Sequence, residues 1–215
     1  YLGFHGQTIL HQPSKSLSIQ MGDPNLLSNL LKKKVYFNFR KKDILNGGEG
    51  APLSSIYHYQ ILKKFKLKLP TIFLNIGGIA NITYININED ISSFDLGPGN
   101  CLIDKWIYQN IDKNFDNNGL IAETGKIDYK ILDKALDNCL CIKSKQRSFD
   151  IKDFDISFVK GLSLENGAAT LTAYTAYIIA EKINKINNNK ISVILCGGGR
   201  KNKFLIKNIL KRIKH

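Results

Sequence analysis

The apolar positions of this chain change period several times, and each change marks an element. Leu17-Ser-Ile19-Gln-Met21 alternates in steps of two, which predicts a short strand ending at Gly22-Asp23-Pro24. Residues 25–33 gather Leu26, Leu27, Leu30 and Leu31 on one side of a helix, and Val35-Tyr36-Phe37 reads as a strand. A glycine-rich loop, Gly47 to Pro52, precedes a helix over 53–64. The β-rich run Thr71–Ile76 meets Gly77-Gly78, and residues 79–87 alternate again, so the two runs form a hairpin. Ser92–Asp95 is a strand end, Gly97–Asn100 a turn, and 101–111 and 128–140 helices. The longest helix, 167–187, carries Leu171, Tyr174 and Ile178 on one stripe, extended by Ile179, Ile183 and Ile186. Residues 191–196 form an apolar strand expected to be buried on both sides, followed by Gly197–Gly199 and a last helix over 202–213. Strand, glycine turn and helix recur, which predicts a mixed α/β protein with its sites at strand ends.

Composition changes this picture little. No run approaches the ~18 uninterrupted apolar residues of a membrane span. Residues 1–20 hold no apolar core of a signal peptide, so a cytoplasmic protein without a membrane partner is expected. Four cysteines in 215 residues do not make a disulfide scaffold. The net charge of +13 raises nucleic acid as a partner. Yet 27 of the 31 cations are Lys, beside 30 Ile and 21 Asn, the signature of an AT-rich genome rather than of an arginine-rich phosphate-reading surface. Ten of those cations fall in residues 182–215, which hold no acid, so the rest of the chain is near neutral. In the last helix Lys203, Lys207 and Lys211 recur every four residues, opposite Ile206, Ile209, Leu210 and Ile213. That is the layout of a wet helix face, and no nucleic-acid partner is expected.

The candidate chemistry lies in the glycine turns. Gly77-Gly78, Gly97-Pro98-Gly99 and Gly197–Gly199 each follow a β-rich run, and each can bring backbone N–H groups up to phosphate. None is a Walker A loop or a dinucleotide fingerprint. Asp95, at a strand end beside such a turn, can act as a general base or can cap the turn; the residues alone leave both open. Arg40 and Asp43 before the Gly47–Gly50 loop are either an anion fork or a solvated turn. His5, Gln7, Thr8 and His11 form a polar patch whose histidine spacing matches no metal pair. Cys139-Leu-Cys141 lacks a second ligand pair at zinc spacing and reads as packing, as do Cys101, Cys196 and Trp106.

Taken together, the motifs resemble the anhydro-N-acetylmuramic acid kinase family. They run in order: Gly3-Phe-His-Gly-Gln-Thr8 with His11 and Pro13, Gln20-Met-Gly-Asp-Pro24, Asn38-Phe-Arg-Lys-Lys-Asp43, and Gly47-Gly-Glu-Gly-Ala-Pro-Leu53. There follow Leu74-Asn-Ile-Gly-Gly-Ile-Ala-Asn-Ile82, Phe94-Asp-Leu-Gly-Pro-Gly-Asn100 with Asp104 and Trp106, Lys143-Ser144 with Arg147, Gly167-Ala-Ala-Thr-Leu-Thr172, and Cys196-Gly-Gly-Gly199 with Asn202. The resemblance implies an actin-like ATPase fold of the sugar-kinase and heat-shock type, with two lobes, each a mixed sheet flanked by helices. Residues 1–70 would be the remainder of the first lobe and 71–215 the second.

It also implies a reaction in peptidoglycan recycling: water opens the 1,6-anhydro ring of anhydro-N-acetylmuramic acid, and ATP, with Mg²⁺, phosphorylates O6. Asp95 matches the family's base for that water. Gly77, Gly78 and Gly97 match phosphate turns, and Gly197, Gly198 and Gly199 match the adenosine turn. His5, Gln7, Arg40, Asp43 and Asn100 fall in motifs near the sugar, no protein-held metal site is expected, and a homodimer is implied. Asn38 stands where the family usually has Asp, and Lys-Gln-Arg follows Ser144 in place of Thr-Gly-Arg. The family's first phosphate loop, Gly-Thr-Ser-x-Asp-Gly, does not occur in the sequence. The expectation is therefore a chain truncated at both ends and, by itself, a poor or inactive kinase. The alternative is a decayed homologue that binds sugar or nucleotide without catalysis.

Overall fold

The computed structural model describes residues 1–143, 148–186 and 190–214. The chain divides into two compact units, Tyr1–Leu53 and Ser54–His215. The expected motif residues Ser144 and Arg147 lie outside the described residues.

The first unit contains β1 (Leu2–Phe4), β2 (Gln7–Gln12), β3 (Leu17–Met21), α1 (Pro24–Leu31), β4 (Val35–Phe37) and α2 (Phe39–Leu45). β1 lies parallel to β4, and β2 pairs antiparallel with β3, with a bulge between Thr8 and Leu10. The start of α1 follows from chemistry: Pro24 needs no amide partner, and Asp23 accepts from the N–H groups of Asn25 and Leu26 at 2.8 and 3.0 Å. Asn38 precedes α2 with φ +60°, a left-handed conformation that Asn tolerates. The Arg40–Asp43 segment is thus helical rather than a turn, with Ile44 as its buried anchor.

The second unit opens with α3 (Ser55–Phe65) and continues with the strands β5 (Thr71–Ile76), β6 (Ile79–Ile85) and β7 (Ile91–Pro98). Next come α4 (Cys101–Ile111), α5 (Leu120–Thr124), α6 (Tyr129–Asp137), α7 (Leu140–Lys143) and α8 (Leu164–Ile186), then β8 (Ser192–Cys196) and α9 (Lys203–Leu210). The four strands lie in the order β7-β6-β5-β8, an antiparallel meander with β8 added parallel to β5. This is a mixed α/β fold, as the recurring pattern predicts.

The period of two in β5 is read by two cores. Ile72, Leu74 and Ile76 pack with Ala176, Ile179 and Ile183 of α8 and with Leu205 and Ile209 of α9. Phe73 faces the other way, against Leu62 of α3 and Ile85. Helix α3, ahead of the expected lobe boundary at 70/71, is therefore anchored on this sheet. A third core joins α4, α5, α6 and α8 through Leu102, Trp106, Ala122, Leu132, Leu171 and Ile178. Helix α8 serves two of these cores and is buried almost all round from Gly167 to Ala176.

Two expectations need correction. β8 is not buried on both sides: Ser192 is exposed and Val193–Cys196 are half-buried, because β5 is its one neighbour among the described residues. In α9, Leu210 belongs to the wet face at 55% exposure, while Leu205 and Ile209 carry the packing. Among the described residues no helix is long and apolar enough to cross a membrane.

Leu74 is fully buried at the centre of the sheet. Leu74→Ala should lower the unfolding free energy by about 2–5 kcal/mol, through lost transfer energy and the cavity left behind. A urea midpoint unchanged from the parent would contradict this placement.

Candidate functional site

The β5–β6 turn places Ile76 opposite Ala80, with Gly77 and Gly78 at its tip and the Gly77 N–H donating to the Ile79 carbonyl at 3.2 Å. The carbonyls of this turn are then occupied from one side. Gly99 and Cys101 donate to the Gly78 oxygen at 2.8 and 3.2 Å, and Asn100 donates to the Gly77 oxygen at 2.8 Å. These donors open α4, where backbone amides have no partner within the helix. The second glycine turn is thereby stapled to the first. Gly99 has to be glycine, since a Cβ there would sit 2.3 Å from the Gly77 oxygen.

The third turn closes on the same end of the sheet. A Cβ on Gly197 would lie 2.5 Å from Asn75 Oδ1 and 2.6 Å from the Ile76 oxygen, and Gly197 has φ +77°. One on Gly199 would lie 2.4 Å from Ile76 Cγ2 and 3.0 Å from Asn100 Nδ2. Gly198, between them, faces open space. The structure therefore brings Gly77, Gly78, Asn100, Gly197, Gly198 and Gly199 together at the ends of β5 and β8. Asn75 joins them, unforeseen; its one signal is an amide inside the apolar run Thr71–Ile76.

Asp95 lies on β7 next to this cluster and is 7% exposed. Asn81 of β6 faces Asp95 and Ala80 faces Gly97, so β7 carries one extra residue, Leu96, at that point. Such a bulge re-aims the flanking side chains. The Asp95 carboxylate accepts the Phe149 N–H at 2.9 Å. That amide lies 54 residues downstream, and nothing in the sequence reveals the pairing. Gly97, with φ +148°, turns its open side inward, where a Cβ would lie 3.0 Å from both Cys141 Sγ and Ile178 Cγ2.

Asp104, on α4, is half-buried and its carboxyl is pushed up to about 6, first by burial and then by the Asp116 carboxylate. The Asp116 oxygens accept the amides of Ile121 and Ala122, both at 2.9 Å, and so hold the start of α5. Burial also raises the Cys101 thiol to about 11, which leaves it unreactive.

The remaining candidates belong to the first unit. His5 and Gln7 are exposed on and before β2. Arg40 Nη2 donates to Thr8 Oγ1 at 3.2 Å. Asp43 accepts the Gly50 N–H at 2.7 Å and fills the space a side chain at Gly48 would need, so it shapes the glycine-rich loop.

The strand plan and the clustered glycine turns define a mixed α/β protein whose glycine turns gather at one end of the four-stranded sheet. The family described as anhydro-N-acetylmuramic acid kinase matches residues 1–215, and the chain belongs to that family. It is 50% identical over 219 residues to the anhydro-N-acetylmuramic acid kinase of Pelagibacter ubique, covering 99% of this chain and 58% of that protein. It is 38% identical over 214 residues to the enzyme of that name from Zymomonas mobilis, again covering 99% and 58%. The chain thus spans 58% of the length of these curated relatives. Among solved structures it is similar, at TM-score 0.48 and 12% identity, to the activator of the 2-hydroxyisocaproyl-CoA dehydratase from Clostridium difficile, covering 98% of this chain and 84% of that one.

The Asp104 carboxyl titrates higher when folded than its ordinary 3.8, so folding favours its protonated form. Its contribution to stability is complete below 3.8 and is lost as pH rises through about 6. Asp104→Asn should therefore gain stability relative to the parent across that rise, read from urea midpoints at several pH values. A difference that stays flat with pH would remove the effect.

Proposed function

We propose that the protein is an ATP-dependent kinase that opens 1,6-anhydro-N-acetylmuramic acid with water and phosphorylates O6, giving N-acetylmuramic acid 6-phosphate in cytoplasmic cell-wall recycling. The observation that carries this reading is the convergence of the Gly77–Gly78 and Gly197–Gly199 turns beside a nearly buried aspartate, in a chain of this family.

Asp95 is the general base. Its carboxylate takes a proton from water as that water attacks the anomeric carbon, and the Phe149 amide fixes its orientation. The bridging oxygen leaves the anomeric carbon as O6 and becomes the acceptor of the phosphoryl group that ATP supplies. Phosphoryl transfer rests on positioning and charge stabilisation. Gly77, Gly78 and the Gly97 turn line the phosphates, and Gly197, Gly198 and Gly199 line the adenosine. The close approaches at Gly197 and Gly199, and the open face at Gly198, suit a bound nucleotide. Asn100 is assigned to the sugar, and so, within the first unit, are His5, Gln7 and Arg40, while Asp43 acts through the loop it clasps.

Mg²⁺ fits less directly. Among the described residues no group of three or more His, Cys, Asp or Glu could hold a metal ion. The ion would enter with the phosphates, as Mg²⁺ commonly does, and no protein cage is assigned to it.

The test is phosphorylation of 1,6-anhydro-N-acetylmuramic acid by the protein and by its Asp95→Asn variant. Loss of the base should lower kcat by about 10²–10⁴-fold while the Asn side chain still accepts the Phe149 amide. A variant of near-parental activity would exclude Asp95 from the base role.

A further inference from the structure

A cavity of about 420 Å³ opens between α4, α6, α7 and α8, and the proposed reaction makes no use of it. Its lining includes Phe158, Tyr174, Cys139 and Cys141, together with Lys134 and Asn138, which are exposed and connect it with solvent. Both cysteines are free thiols and otherwise deeply buried, and their sulfurs are hydrogen-bonded at 3.4 Å. The two thiols are unequal. The bond to Cys141 holds the Cys139 thiol below its ordinary range, opposed by burial and aided by the Tyr174 hydroxyl. The same bond, together with burial, pushes Cys141 up. The hydrogen-bonded pair thus favours Cys139 as the attacking sulfur, with Cys141 beside it to resolve the product.

This pair is also in mechanical contact with the candidate site. Cys141 Sγ is among the nearest atoms to the open side of Gly97, two residues from Asp95. Eight residues beyond Cys141, Phe149 donates its amide to the Asp95 carboxylate.

We propose that Cys139 and Cys141 form a reversible dithiol switch, oxidised by small hydroperoxides that enter this cavity, whose closure loosens the hold of Gly97 and Phe149 on Asp95. The Cys139 thiolate attacks one peroxide oxygen; the O–O bond breaks, hydroxide leaves, and a sulfenic acid forms. The Cys141 sulfur then attacks the sulfenic sulfur and displaces its hydroxyl group, which leaves as water with the Cys141 proton. In sum, two thiols and one hydrogen peroxide give a disulfide and two waters. A dithiol reductant returns the two electrons and two protons and reopens the pair. Closure draws the sulfurs from 3.4 Å to about 2.05 Å, a movement shared between Cys139 and Cys141, the latter seated on Gly97.

The experiment treats the chain with stoichiometric hydrogen peroxide, alkylates the remaining thiols and maps the peptides by mass. The expected product has lost two hydrogens within the one peptide that holds Cys139 and Cys141, with Cys101 and Cys196 still alkylated. Amide exchange across residues 148–154 should speed up by on the order of tenfold on oxidation and return after dithiothreitol. Cys139→Ser should abolish both effects. Oxidation of Cys101 or Cys196 ahead of the pair, or a Cys139 sulfinic acid without a disulfide, would overturn the proposal. So would a disulfide that leaves exchange across 148–154 unchanged. The consequence for catalysis rests on Asp95 being the base, but neither readout involves turnover, so the switch and the Asp95 role fail independently.

Discussion

The arrangement of the second unit hangs on two carbonyl groups. The oxygens of Gly77 and Gly78 take the amides of Gly99, Asn100 and Cys101, and in doing so they satisfy the start of α4 without any side-chain cap. Because the amides belong to one turn and the carbonyls to another, neither turn keeps its shape alone. The third turn adds to this through sterics: Gly197 and Gly199 lie so close to Ile76 and Asn75 that side chains are excluded. The glycines are thus required first by how closely three pieces of backbone approach one another. Their availability to a ligand is a product of that crowding, since the stapled turns leave the face at Gly198 open.

Behind the turns, α8 supplies the rigid support. Apart from Leu171, its central residues are small or β-branched, Ala-Ala-Thr-Leu-Thr-Ala, and they are buried on every side. One stripe meets the sheet and another meets α4 and α6, so the sheet end and the helical layer cannot shift separately. Thr175 extends this towards the site, its hydroxyl donating to the Gly99 carbonyl at 3.4 Å. The glycine turns therefore rest on a helix whose Gly167–Ala176 stretch has no free face.

Much of this is legible in the residues, and the limits have physical causes. β5, β6 and α8 are visible because each buries a regular stripe, and the hairpin is visible because two glycines interrupt an alternating pattern. α2 is hidden, since Phe39–Leu45 buries one side chain, Ile44, and shows no apolar period. β2 is hidden because Gln7–Gln12 mixes polar and apolar residues on a half-covered pair of strands. In the candidate site, the glycines and Asp95 are the residues that local signals single out. The amide that orients Asp95 and the asparagine that crowds Gly197 come from tertiary approach, which leaves little trace in local sequence. Asp43 illustrates the middle case: its place in a motif is readable, but its attachment to the Gly50 amide emerges only when the loop is folded.

The packing of Trp106 has a practical side. Its indole N–H donates to the Leu164 carbonyl at 2.9 Å, and its ring fits against Gly167, where a Cβ would lie 2.4 Å away. It is the single tryptophan of the chain. Intrinsic fluorescence excited at the indole therefore reports one joint, between α4 and α8, and is silent about the first unit, which has no fluorophore of that kind. Nature has in effect placed a gauge on the helix that supports the glycine turns, so the melting of that support is separable by colour from any change in residues 1–53.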